Sequence, residues 1–144
     1  MLPPVMLVMA ILLMILVHAT VPLARVIDSP YTYTGIVVIL MGMLTIPWAA
    51  SRFRETHTTI NPFGEATSLV TSGPYSISRN PMYLGMLLIL AGLAISLGTV
   101  STLFVLPLFI GAVTKCHIAR EENNLKRIFG DRYLMYRRTV RRWI

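Results

Sequence analysis

Two short polar stretches carry the residues whose types and spacing could do chemistry in this sequence. The first is TSGPYSISRNPMYLG, Thr71 to Gly85, and the second is KCHIAREENNLKRIFG, Lys115 to Gly130. In the second stretch His117 and Glu121 are four residues apart, so they share one face of a helix. Glu122 follows Glu121 directly and points about 100° away from it on the same helix.

The position of Glu121 favours a binding or catalytic role. It lies about one turn past the end of an apolar run and faces the loop that carries Arg79. An acidic side chain that close to lipid costs free energy unless it is paired with a cation or serves a function. For Glu122, an ordinary surface ion pair with Lys126 is an equally good explanation.

The elements that position these residues belong to a membrane protein. Of the 144 residues, 55% are hydrophobic and 13% charged, against roughly 25% charged in ordinary soluble domains. The apolar residues also come in long blocks rather than interleaved with polar ones. The composition therefore predicts an all-α integral membrane protein built as a single domain, residues 1–144.

The blocks predict about four transmembrane helices followed by a polar tail. The predicted spans are residues 5–24, 31–50, 83–98 and 99–114, the last two forming a helical hairpin. Residues 51–82 form a loop, and residues 115–144 form a tail of amphipathic helices. Within the tail, Gly130 is a natural helix end, and a second helix is predicted from Arg132 to Val140.

The arginines and lysines predict the orientation. The loop carries three arginines, the tail carries nine basic residues, and only Arg25 lies on the opposite side. The positive-inside rule then predicts that both termini lie in the cytoplasm, and the expected location is a bacterial inner membrane. The basic tail follows a span directly, so membrane lipids rather than nucleic acid are its expected partner.

The ordered set of motifs resembles the isoprenylcysteine carboxyl methyltransferase and phospholipid methyltransferase superfamily. It consists of LVTSGPYSISRNPMYLG, then a hairpin, then REENNLKRIFGDRYLMYRRTVRRW. The family pattern is roughly G-x-Y-x-x-x-R-H-P-x-Y, a hairpin, Glu-Glu, and F-G-x-x-Y-x-x-Y. The short bacterial members look most similar. The resemblance implies a membrane enzyme that uses S-adenosyl-L-methionine.

The resemblance also implies which residues bind the cofactor. The expected cofactor-binding residues are those just before the G-x-Y motif and those of the G-x-Y and R-H-P-x-Y motifs. The acid that lies eight residues before F-G completes the set. In this sequence the set is Thr67, Ser68, Leu69, Val70, Tyr75, Arg79, Asn80, Pro81, Met82, Tyr83 and Glu121.

The chemistry of these residue types agrees with such a cofactor. A helix that begins at Pro81 offers free N–H groups to a carboxylate, and Arg79 adds positive charge. Glu121 suits an ammonium group or ribose hydroxyls. The ring of Tyr75 or Tyr83 could face a sulfonium.

Two departures from the family pattern bear on the acceptor. Asn80 stands where the family has His, and it can donate a hydrogen bond but cannot act as a base. His117 stands where the prenylcysteine enzymes have a substrate-binding Arg, and His cannot pair bidentately with a carboxylate. Arg120 could replace that Arg only if the helix is rotated. His117, if neutral, could serve as base toward an amine or thiol.

The candidate catalytic residues are therefore His117, Arg120 and Glu122, and no metal site is expected. The predicted reaction is methyl transfer to a lipophilic acceptor, which could be a carboxylate, an amine or a thiol. Two alternatives stay open. One is an NADPH-dependent membrane reductase of the sterol reductase type, and the other is a non-enzymatic adaptor with a lipid-binding tail.

Overall fold

The computed structural model describes residues 2–55 and 68–144, with side chains described through Arg52 and again from Ser68. Within these ranges the chain forms α-helices and short helical turns and no strand. The long helices are α1, Pro3–Thr20; α2, Thr34–Glu55; and α3, Pro81–Leu97. They are followed by α4, Val100–Leu103; α5, Val105–Val113; α6, Ala119–Phe129; and α7, Asp131–Thr139.

Three helical stretches in the described ranges are long and apolar enough to cross a membrane. They are Pro3–Thr20, Tyr31–Arg52 and Val100–Phe129, while Pro81–Leu97 is an apolar helix of 17 residues. Large apolar side chains on the outer faces of α1 and α2 are exposed, as expected where the surroundings are lipid. The prediction of an all-α integral membrane protein is confirmed.

The helix ends differ from the predicted ones by a few residues, with one larger difference. The helix after Gly98 was expected to end at Thr114, but its backbone continues through a π-helical turn, Thr114–Ile118, into α6. The apolar composition ends there, whereas the backbone hydrogen bonding does not. The last helix begins at Asp131 directly after Gly130, whose φ of 51° ends α6 as predicted.

The helices α2 and α3 form the closest pair in the fold. Pro81 begins α3 and Gly98, with φ of 70°, ends it. Pairs of glycines face each other across the seam, and a Cβ built on Gly42 would lie 2.5 Å from the carbonyl oxygen of Gly85. Small residues at such positions let two helix backbones approach directly.

The two ends of the helical bundle have different polar structure. At one end Arg25 and Thr99 form an isolated backbone bridge, and His18 Nδ1 lies 3.1 Å from Thr99 Oγ1. At the other end the loop before α3 meets α6, α7 and the residues after α7. The residues with candidate chemistry lie at this second end.

Candidate functional site

A cavity at the second end of the bundle brings the two polar stretches together. The space inside it that admits a water-sized sphere is about 80 Å³, smaller than the roughly 300–1,000 Å³ of sites that enclose a whole small molecule. The loop before α3, the start of α3, α6 and α7 each contribute to its wall. The lining residues are Tyr75, Arg79, Asn80, Met82, Tyr83, Glu121, Glu122, Leu125, Tyr133 and Tyr136.

The start of α3 forms one side of this cavity. Gly73 has φ of 62° and opens a 3-10 turn, Gly73–Ser76, that buries Pro74 and Tyr75. Pro81 is the first residue of α3, and Asn80 gives the helix no side-chain cap. The positive end of the helix dipole therefore faces the cavity without a capping oxygen from Asn80.

Glu121, on α6, also borders the cavity, and its partner is a hydroxyl group. The Tyr83 hydroxyl donates a hydrogen bond to Glu121 Oε1 at 2.6 Å. Within the described part of the chain no Lys, Arg or His forms an ion pair with Glu121. A carboxylate that borders a cavity without a cation partner is a ready acceptor for a cationic ligand group.

Glu122 is held by two arginines instead. The Arg79 guanidinium lies 3.1 Å from Glu122 Oε1, and both side chains are largely buried. Arg142 donates to the same carboxylate twice, from Nε at 3.0 Å and from Nη2 at 2.6 Å. Glu122 is thus not the surface partner of Lys126, because its charge is used inside the protein.

Charged groups of both signs border the cavity. Arg79 and Arg142 carry two positive charges against one negative charge on Glu122. Glu121 adds a carboxylate that has no cation partner among the described residues. A zwitterionic ligand with a carboxylate and an ammonium group is complementary to charges of both signs.

The tyrosines around the cavity are neutral hydrogen-bonding groups. Burial raises the pKa of Tyr75 above its ordinary value of 10.0, and the neighbouring Tyr136 and Glu121 add to the rise. Burial also raises the pKa of Tyr136 and Tyr133, although nearby Arg79 opposes the shift in both. They remain protonated near neutral pH, so they act as donors and aromatic surfaces rather than as bases.

The predicted cofactor residues are largely brought together. Six of them line the cavity, namely Tyr75, Arg79, Asn80, Met82, Tyr83 and Glu121. Val70 is buried in a small cluster with Ala49 and Tyr75. Ser68 and Leu69 are partly buried just before it, Pro81 is fully buried at the start of α3, and Thr67 lies outside the described residues.

The three predicted catalytic residues lie in different surroundings. Glu122 lines the cavity, whereas Arg120 is exposed on α6. His117 is buried behind the cavity wall with its ring centroid 6.1 Å from that of Tyr83. Its Nε2 atom has no hydrogen-bond partner in the described part of the structure.

The sequence prediction missed four residues of the cavity wall and its support. Leu125, Tyr133 and Tyr136 line the cavity, and the two tyrosines are those of the F-G-x-x-Y-x-x-Y motif, so the motif was an available signal for them. Arg142 is the fourth, and it supports the wall through Glu122. Nothing in the sequence distinguishes Arg142 from the other arginines of the tail.

A second, apolar groove lies between α1 and α5, among the spanning helices. The space inside it that admits a water-sized sphere is about 330 Å³, and every residue that lines it is apolar. The groove residues are Met6, Met9, Ala10, Leu13, Val105, Leu108, Phe109 and Ala112. Along the helix axis Ala112 lies about 7 Å before His117, at 1.5 Å per residue.

Comparison with known proteins gives a family and one relative. Residues 30–132 match the model of the family described as phospholipid methyltransferase. The chain is 41% identical over 63 residues to an uncharacterized protein of Haemophilus influenzae (strain ATCC 51907 / DSM 11121 / KW20 / Rd), which covers 44% of this chain and all of that protein. No solved structure matches the chain.

Proposed function

The chain belongs to the phospholipid methyltransferase family, and from this premise we propose that it transfers the methyl group of S-adenosylmethionine to a lipophilic acceptor. The observation that carries the proposal is the cavity bordered by the Arg79 guanidinium and by Glu121, a carboxylate without a cation partner among the described residues. The family supports methyl transfer at a membrane, and the cavity supports this particular methyl donor.

The residues of the cavity fit the polar groups of the donor. Its amino-acid part carries a carboxylate, which suits Arg79 and the start of α3. It also carries an ammonium group, which suits Glu121. The faces of Tyr75 and Tyr83 suit a sulfonium, because an aromatic ring attracts a cation.

When bound, S-adenosylmethionine supplies an electrophilic methyl group on a sulfonium. Methyl transfer needs alignment of two partners and exclusion of water rather than covalent help from the protein. The buried Tyr75, Tyr83 and Tyr136 and the apolar Met82 supply a wall of this kind. For an amine or thiol acceptor, His117 beside Tyr83 is the candidate group to receive the acceptor's proton.

The acceptor in this proposal comes from the bilayer. Three helical stretches can span a membrane, and the apolar groove between α1 and α5 follows the same continuous helix that leads to Glu121. A carboxylate, an amine or a thiol on an apolar chain all meet these conditions. The positive-inside rule places the cavity on the cytoplasmic side, where a water-soluble methyl donor is available.

Binding of S-adenosylhomocysteine tests the proposal. We expect the purified protein in detergent to bind it in a calorimetric titration. We expect Glu121→Gln to lower the affinity about tenfold or more, because a charged hydrogen bond to the ammonium is lost. The matched control is Asp28→Asn, which neutralises an exposed acid at the other end of the bundle.

Two results would contradict the proposal. One is the absence of any binding of S-adenosylhomocysteine to the wild-type protein. The other is displacement of bound S-adenosylhomocysteine by NADPH at lower concentration than by S-adenosylmethionine, which would favour a reductase.

A further inference from the structure

Arg79 is buried, and one of its N–H groups lacks a hydrogen-bond acceptor in the described ranges. Its side chain is 8% exposed and lines the cavity. One terminal nitrogen contacts both the Tyr133 hydroxyl, at 3.0 Å, and Glu122. Its Nε is buried and has no hydrogen-bond partner in the described ranges. A buried guanidinium N–H without a partner costs free energy unless a ligand accepts from it.

Arg142 changes the charge that Arg79 presents to the cavity. Without Arg142, Arg79 and Glu122 would form a neutral pair with little attraction for an anion. With Arg142, two bonds from a second guanidinium satisfy the same carboxylate. The bond to Glu122 also raises the pKa of Arg142, so its charge is secure at any physiological pH.

The backbone of the segment after α7 is hydrogen-bonded to the residues just before α3. The Arg79 N–H donates to the Arg141 carbonyl at 3.0 Å. The Arg142 carbonyl accepts from Asn80 Nδ2 at 3.0 Å and from Ser78 Oγ at 3.3 Å. These bonds place the Arg142 side chain beside Glu122 rather than in the surrounding headgroup region.

We propose that Arg142 is a positioning residue for ligand binding. By holding Glu122, it leaves the Arg79 guanidinium with net positive charge and a free Nε–H for the carboxylate of an amino-acid ligand. The inference rests on the proposed function and adds to it an orientation. The ligand carboxylate lies at the α3 end, next to Arg79, and the ammonium lies at Glu121.

Two ligands that differ only in the carboxylate test this role. One is S-adenosylhomocysteine, and the other is its decarboxylated analogue, 5′-deoxy-5′-(3-aminopropylthio)adenosine. We expect Arg142→Gln to lower the affinity for S-adenosylhomocysteine about tenfold, the usual effect of weakening a charged hydrogen bond. The affinity for the decarboxylated analogue stays within about twofold. Calorimetry with the full-length protein in detergent measures both.

Three further variants make the test specific. Arg79→Gln shows the same selectivity, and combining it with Arg142→Gln gives no further loss, because both act on one contact. Arg142→Lys restores part of the affinity, since it keeps the charge but not the paired hydrogen bonds. Arg138→Gln, at an exposed arginine of α7, changes neither affinity.

The outcomes separate this inference from the proposed function. If wild-type protein binds neither ligand, the proposed function fails. If it binds both and Arg142→Gln weakens both equally, Arg142 has a general structural role and the inference is overturned. An unchanged affinity for S-adenosylhomocysteine in Arg142→Gln overturns it as well. Far-UV circular dichroism and gel filtration confirm that each variant is folded.

Discussion

At the scale of single residues, the adjacent glutamates 121 and 122 show how neighbours in sequence take different roles. Glu122 is buried and satisfied by Arg79 and Arg142, and Glu121 has one hydroxyl partner and borders the cavity. The 100° between consecutive helix positions is sufficient to separate them. The spacing of the pair could be read from the sequence. The partner of Glu122 could not, because it lies 20 positions away among similar exposed arginines.

The hydrogen bond from Tyr136 to the loop makes a prediction at this scale. The Tyr136 hydroxyl donates to the Tyr75 carbonyl at 2.6 Å in a buried setting. Tyr136→Phe leaves that carbonyl without this donor, so we expect the free energy of unfolding to fall by about 1–2 kcal/mol. Denaturation in mixed micelles measures the change.

The control for Tyr136→Phe is Tyr33→Phe. Tyr33 is 65% exposed, and we expect its loss of a hydroxyl to change the free energy of unfolding by less than about 0.5 kcal/mol. Equal effects of the two substitutions would mean that the Tyr136 hydrogen bond does not stabilise the loop.

At the scale of elements, the close packing of α2 against α3 determines the position of the cavity wall. Gly35 faces Gly92 and Gly42 faces Gly85, so glycines recur at seven-residue spacing on both helices. Atoms of the opposite backbone occupy the space where their side chains would lie. Because α3 begins at the cavity, its position against α2 also positions Asn80 and Tyr83.

Alanine substitution should lower the free energy of unfolding at Gly42 but not at Gly111. A Cβ at Gly42 would lie 2.5 Å from the Gly85 carbonyl oxygen, and a backbone oxygen cannot yield as a side chain can. We expect Gly42→Ala to lower the free energy of unfolding by about 1–3 kcal/mol, as overpacking does. Thermal unfolding in detergent measures it.

The matched variant is Gly111→Ala in α5, where a Cβ would meet nothing within 4 Å. We expect it to be neutral or to stabilise the protein by about 0.5–1 kcal/mol, because alanine loses less backbone entropy in a helix. A destabilising effect of similar size at both positions would rule out close backbone contact as the cause.

The elements themselves were largely predictable, and their junctions were not. Apolar blocks, Pro81 and Gly130 indicated where helices lie and end. The π-helical turn Thr114–Ile118 had no such signal, since it contains neither a proline nor a glycine. Its effect is to keep α5 and α6 in one continuous helix across the change from apolar to polar sequence.

At the scale of the whole molecule, the described structure places a polar cavity and an apolar groove along the same helix. The cavity takes Glu121 from the α6 part, and the groove takes Val105 and Ala112 from the α5 part. The described part of the loop before α3, residues 68–80, and the tail meet at the cavity end. A water-soluble donor and an apolar acceptor can therefore approach from different directions.

A larger side chain in the groove between α1 and α5 should reduce methyl transfer and leave cofactor binding unchanged. We expect Ala112→Phe to reduce the transfer of tritiated methyl groups from S-adenosylmethionine into a total lipid extract. The reduction is about tenfold, the equivalent of about two displaced methylene groups. The affinity for S-adenosylhomocysteine, measured by calorimetry, is expected to stay unchanged.

Leu44→Phe is the control for the groove, because Leu44 is 71% exposed on the outer face of α2. We expect it to leave methyl transfer unchanged. If Ala112→Phe also leaves methyl transfer unchanged, the acceptor chain does not use the groove between α1 and α5.

The helix from Val105 to Phe129 is continuous, so a tilt at Val105 would displace Glu121 near its other end. Glu121 is 16 residues from Val105, or about 24 Å at 1.5 Å per residue. A change of about 10° in the inclination of this rod, small beside the range that membrane helices show, moves the carboxylate by about 4 Å. A tilt of this helix would therefore change the distance between Glu121 and the start of α3.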